Sequence, residues 1–131
     1  MNKQIKVFLG IIALLILGTI ITVVIREGEN LSSIEKGKYD NFAMCLKERG
    51  AVFYGAFWCS HCQAQKDMFG SSAKYLPYVE CSTLDGRGQT NECKTKNIEG
   101  YPAWEFANGE RIFGEVELKI LAEKTSCELP L

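Results

Sequence analysis

The chain lacks a surplus of charge of either sign. Its 15 Lys and Arg stand against 16 Asp and Glu, for a net charge of −1. The two signs are interspersed, so no basic stripe of the kind nucleic-acid binding needs is present, and nucleic acid is set aside as a partner. No internal repeat or low-complexity tract organises the sequence, which leaves no repeat architecture to consider. Histidine occurs once, at His61. The short Cys-x-x-Cys knuckle also occurs once, whereas a zinc ribbon repeats it. A Cys₄ site from Cys59, Cys62, Cys81 and Cys93 is therefore only an alternative, and no metal is expected.

Long hydrophobic runs are scarce too, with one exception. Val7 to Ile25 is an unbroken stretch of 19 uncharged residues, just long enough at ~1.5 Å per residue to span a bilayer core. Lys3, Lys6 and the amino terminus precede it, while Arg26, Glu27 and Glu29 follow. The positive-inside bias then places residues 1–6 in the cytoplasm and the rest of the chain on the extracytoplasmic side, periplasmic, extracellular or lumenal. Ile25-Arg26-Glu27-Gly28 offers no small-x-small cleavage site, and the run exceeds a signal-peptide core, so an uncleaved anchor is expected. Residues 26–37 are polar and read as a tether. One domain, residues 38–131, remains. Asn30-Leu31-Ser32 fits a glycosylation sequon but lies close to the membrane and carries little weight.

Cysteine is abundant: six among 131 residues, all after the apolar run. An even count on the outer side of a membrane points to disulfides. Cys59-Ser60-His61-Cys62 follows the apolar Ala51 to Trp58 directly and precedes a helix-like Gln63 to Phe69, and two thiols on such a strand-to-helix turn make a redox site. The unpaired N–H groups and partial positive charge of a helix N-terminus favour a thiolate at Cys59, and a protonated His61 between the sulfurs would favour it further. Setting that pair aside reduces 15 possible pairings to three. Cys81 with Cys93 is the next pair expected, because the eleven residues between include only one apolar side chain, Leu84, too little to hold the loop by packing. Closing it contributes about 3 kcal/mol on a chain-entropy estimate.

Along the domain, Tyr39, Phe42, Ala43 and Leu46 recur at helical spacing, predicting a helix over 39–48 ended by Gly50. Ala51 to Trp58 reads as a central strand buried on both faces. Gln63 to Phe69 reads as a helix closed by Gly70, and Tyr75 to Cys81 as a strand with Pro77 near its start. Ala103 to Phe106 and Arg111 to Phe113 flank Asn108-Gly109, which predicts a two-residue type I′ hairpin. Val116, Leu118, Leu121 and Ala122 suggest a last helix.

That order, with Cys-x-x-Cys opening the first post-strand helix and Tyr101-Pro102 just before a late hairpin, resembles the thioredoxin layout: an α/β fold with a central mixed sheet flanked by helices. More narrowly, the run from Gly50 to Cys62, Gln65-Lys66, Phe69-Gly70, Tyr78-Val79-Glu80-Cys81 and Gly100-Tyr101-Pro102-Ala103-Trp104 is similar to the thioredoxin-like domain fused to bacterial and plant homologues of vitamin K epoxide reductase.

The resemblance implies that Cys59 exchanges with substrate while Cys62 resolves the mixed disulfide. It implies that Pro102 is a cis proline facing the pair and holding an extended substrate, with Trp58 and Tyr101 shaping the surface around it. It also implies that Cys81 and Cys93 form a structural disulfide. Cys45 and Cys127 either bridge the first helix to the tail, the preferred reading, or remain thiols. Many thioredoxins carry a buried acid six residues before the first cysteine; this chain has Phe53 there, which leaves Glu80 and Glu105 as weak substitutes. Ser60 stands where a proline is common. The function implied is a protein-disulfide oxidoreductase that oxidises thiols of exported proteins without a cofactor of its own. A separate membrane, quinone-linked enzyme resembling vitamin K epoxide reductase would reoxidise it. The alternative is a disulfide reductase, as in cytochrome maturation.

Overall fold

The computed structural model describes residues 2–30 and 37–131, with side chains described up to Ile21 in the first stretch. The chain divides into two units, Met1–Lys36 and Gly37–Leu131. In the first, α1 spans Lys3–Asn30. Its segment Lys3–Ile21 has a mean hydropathy of 2.3 and is long and apolar enough to cross a membrane. The helix passes the expected end at Ile25 and takes in residues 26–30 of the expected tether, since nothing there but Gly28 disfavours helix, at about 1 kcal/mol. Residues 31–36 of the tether, and with them Leu31 and Ser32 of the sequon, lie outside the described residues.

In the second unit the elements run α2 (Asp40–Glu48), β1 (Val52–Gly55), α3 (Ser60–Asp67), a 3₁₀ segment (Gly70–Tyr75), β2 (Tyr78–Glu80), α4 (Asn91–Thr95), β3 (Ala103–Glu105), β4 (Arg111–Phe113) and α5 (Leu118–Thr125). The sheet order is β2-β1-β3-β4, with β1 parallel to β2 and antiparallel to β3. It is thus the mixed sheet flanked by helices that the resemblance implies. Alternation along β1 explains the two sides. Phe53 joins Trp104, Phe42, Leu46, Phe69 and Leu121 in the larger core cluster, while Tyr54 joins Ala103, Ile98, Cys81 and Cys93 in a smaller one. Phe53 stacks on Trp104 at 4.9 Å and meets Tyr78 edge-on at 5.2 Å.

Four local expectations are corrected. The central strand covers Val52–Gly55 rather than Ala51 to Trp58, because the chain turns at Phe57 and Trp58 toward α3. Tyr75 ends the 3₁₀ segment rather than opening a strand: Pro77 keeps Leu76 extended at φ −61° and ψ 143°, which stops the helical turn at Tyr75, and paired strand β2 starts at Tyr78. The helix after β1 begins at Ser60, so the cysteines are part of its first turn. The hairpin is not a two-residue type I′ turn. The Gly109 N–H donates to Phe106 O, the Phe106 N–H to Glu110 O, and only Gly109, at φ 81°, is left-handed. Asn108 Oδ1 accepts the Glu110 N–H at 3.0 Å, and this local bond stabilises a three-residue turn with a glycine bulge.

Candidate functional site

β1 delivers the chain to the site. After Gly55 it turns through Ala56 to Trp58, and Cys59, extended at φ −79° and ψ 114°, caps α3 by accepting the Cys62 N–H on its Sγ at 3.3 Å. Both sulfurs are free thiols. Both residues are buried, but unequally: Cys59 is 7% exposed and Cys62 has no exposure. Burial first, and then the hydrogen bond with Cys59, push the Cys62 thiol up to about 12. Of the two sulfur-bearing residues only Cys59 keeps any exposure, while the Cys62 thiol is held protonated in the core.

The register of β1 with β3 brings the second part of the site alongside. Tyr54 pairs with Ala103, so the turn that leaves β1 and the segment that enters β3 lie at the same end of the sheet. Tyr101-Pro102 is there, joined by a cis peptide, with Pro102 buried. Trp58 meets Tyr101 edge-on, ring centroids 6.1 Å apart, and its Nε1–H donates to Ser82 Oγ at 2.9 Å. It is 56% exposed, which removes it from the core, and Phe57 beside it is half exposed. Gln89 Nε2 donates to Tyr101 Oη and to Ile98 O, both at 2.7 Å, fixing that ring in turn.

His61 lies between the sulfurs in sequence, yet adjacent positions on a helix do not face one another. Its ring is largely exposed and its Nδ1 lies 2.6 Å from Glu115 Oε1. The structure thus pairs this ring with Glu115, at the start of the segment that leads into α5. Phe53 is buried and ringed by aromatics, so no carboxylate replaces the missing acid at that position. Glu105 pairs with Val52 at the opposite end of β1 and forms ion pairs with Arg111 and Lys96. Glu80 is at the right end, opposite Gly55. Its Oε1 accepts the N–H groups of Phe57 and Ser82, and its Oε2 accepts the Tyr78 hydroxyl at 2.8 Å. It braces the loops beside Cys59.

The remaining cysteines form two disulfides, Cys81–Cys93 and Cys45–Cys127. The first removes two ligands from the Cys₄ alternative, and among the described residues no cluster of three potential metal ligands occurs.

Sequence reasoning assigned no role to four residues here. Gln65, fully buried, accepts the Val116 N–H at 2.7 Å and the Trp104 Nε1–H at 3.3 Å on Oε1, and donates from Nε2 to Val116 O at 3.0 Å. A glutamine three positions after Cys62, on the same helix face, was the available signal. Lys66 lies on that face too, with Nζ 3.5 Å from the centroid of the Tyr78 ring. Glu115 and Ser82 left no sequence signal, because their partners are 54 and 24 positions away.

A family model described as Thioredoxin matches residues 31–125. The chain is 47% identical over 88 residues to the thiol-disulfide oxidoreductase LTO1 of Arabidopsis thaliana, a match that covers 64% of this chain. It spans only 23% of the relative's length.

Proposed function

The chain belongs to the thioredoxin family, and on that premise we propose that it is a protein thiol-disulfide oxidoreductase working through Cys59 and Cys62. The observation that carries this reading is the unequal setting of the two free thiols: Cys59 caps the N-terminus of α3 and keeps 7% exposure, while Cys62, in the same turn, is fully buried with its thiol pushed up. In the oxidising direction, a substrate thiolate attacks Cys59 of the disulfide form and Cys62 leaves. A second substrate thiol then attacks the substrate sulfur of the mixed disulfide and releases Cys59. Trp58, Tyr101 and the cis Pro102 form the surface on which an extended substrate segment lies. The name and 47% identity of the plant relative support the reaction class.

We further propose that the domain faces an extracytoplasmic compartment and oxidises exported proteins. α1 would anchor it, and a membrane quinone-linked enzyme resembling vitamin K epoxide reductase would reoxidise it. Two disulfides outside the Cys59/Cys62 pair support an oxidising compartment. The test is the reduction potential of the full chain in glutathione buffers, with a Cys59→Ser, Cys62→Ser control. A value at or above about −180 mV fits a thiol oxidant, and one at or below about −270 mV makes the protein a reductant and overturns the direction. Cells carrying Cys62→Ala should accumulate disulfide-linked adducts of Cys59, and their absence would count against exchange with proteins altogether.

A further inference from the structure

Cys62 is chemically awkward. It has to carry negative charge twice in the cycle, once as leaving group and once as resolving nucleophile, yet it is fully buried. The usual aid, a carboxylate beneath the pair, is absent: Phe53 takes its place, Glu105 is at the far end of β1, and both oxygens of Glu80 are occupied. Among the described residues, the ionisable groups seen to act on or meet Cys62 are Cys59 and Lys66 on α3 and Tyr78 on β2, whose hydroxyl is held by Glu80. The parts of β1 and β3 that pack here contribute Phe53, Gly55 and Trp104, which do not ionise.

Lys66 is one helical turn after Cys62, at i and i+4 on the same face of α3. Its ammonium sits 3.5 Å from the centroid of the Tyr78 ring, and that ring is in turn the neighbour of the sulfur. A Cβ placed on Gly55 would fall 2.8 Å from Tyr78 Cε2 and 3.1 Å from Cys62 Sγ, so ring edge and thiol meet over the same glycine. The bond from Tyr78 Oη to Glu80 keeps the ring in that position. Lys66 is half-buried and, among the described residues, no carboxylate pairs with it.

We propose that Lys66 is a positioning residue for thiol exchange: held on the face of Tyr78, it supplies the positive charge that stabilises the Cys62 thiolate where a buried acid is missing. The direction of its influence on Cys62 agrees, since Lys66 opposes the upward push of burial. This rests on the oxidoreductase reading. In the resolving step, a base from water or buffer takes the Cys62 proton and the thiolate attacks Cys59 Sγ. The intramolecular S–S bond forms as the Cys59–substrate bond breaks. The electron pair leaves on the substrate sulfur, which is then protonated from water.

Glutathione disulfide serves as the probe, acting on the reduced full chain in detergent, with acid quenching and mass analysis to separate the Cys59–glutathione adduct from the intramolecular disulfide. Removing the charge with Lys66→Gln raises the Cys62 pKa further and lowers its thiolate fraction. The loss of thiolate is partly offset by its greater nucleophilicity, which leaves resolution about threefold slower at neutral pH. Adduct formation keeps its rate, and Lys66→Arg restores resolution. Unchanged resolution in Lys66→Gln, or no rescue by Lys66→Arg, overturns the proposal while leaving the reaction class standing. A wild-type protein that forms no adduct overturns both.

Discussion

At the scale of single residues, the site separates reactivity from access. Cys62 holds its proton up to about pH 12 because it is buried and bonded to Cys59. Below the ordinary thiol value of 9.0 the Cys62 thiol is protonated whether the chain is folded or unfolded; between there and about 12 only the folded chain keeps the proton. Raising the pH through that window therefore destabilises the reduced protein relative to the oxidised one, in which neither sulfur titrates. Iodoacetamide on the native reduced protein at pH 8 should label Cys59 and leave Cys62 unmodified by mass spectrometry. Comparable labelling of both would contradict the assigned roles. Trp58 makes a different prediction, because it touches no sulfur in the contacts seen and presents an exposed face held by Ser82 and Tyr101. Trp58→Ala should weaken turnover of a peptide substrate through KM, on the order of tenfold for loss of an aromatic anchor. Exchange with a small dithiol should be unaffected, and equal losses with both substrates would place Trp58 in the chemistry instead.

At the scale of elements, legibility followed the range of the interaction. The Cys-x-x-Cys turn, the helix over 39–48 and the central strand were readable because their signals are local: a spacing, a period, an apolar run. The hairpin was read in the right place with the wrong turn, since Asn108-Gly109 suits two turn types and the choice lay with the bond that the Glu110 N–H donates to Asn108 Oδ1. Gln65 marks the limit. Its helix gave no reason to expect that it holds α3 to the segment before α5 and to β3 by three hydrogen bonds made in full burial. Replacing it with Leu, similar in volume, strands the Val116 N–H and C=O and the Trp104 N–H without water. The expected loss is about 2–4 kcal/mol in urea denaturation, and since Val116 is next to Glu115 in the chain, the contact between His61 and Glu115 should loosen with it. A Gln65→Leu protein as stable as wild type would show that these groups find other partners.

At the scale of the whole molecule, the two structural disulfides differ in what they hold. Cys45–Cys127 joins α2 to the tail, where Ser126, left-handed at φ 56°, turns the chain out of α5, and it closes 82 residues. Cys81–Cys93 closes only 12, but Cys81 lies between Glu80 and Ser82, which hold the Phe57 N–H and the Trp58 indole beside Cys59. The chain-entropy relation gives about 4.5 kcal/mol for the long loop and about 3 for the short one, as upper values. Stability and chemistry should therefore separate. Cys45→Ser with Cys127→Ser should lower the denaturation midpoint more, while leaving the alkylation rate of Cys59 at its wild-type value. Cys81→Ser with Cys93→Ser should cost less stability yet change that rate, because it releases the bracing of the active-site loops. If the long-loop variant altered Cys59 reactivity as much as the short-loop one, the site would depend on the rigidity of the whole domain, and the local bracing by Glu80 and Ser82 would not be what sets it.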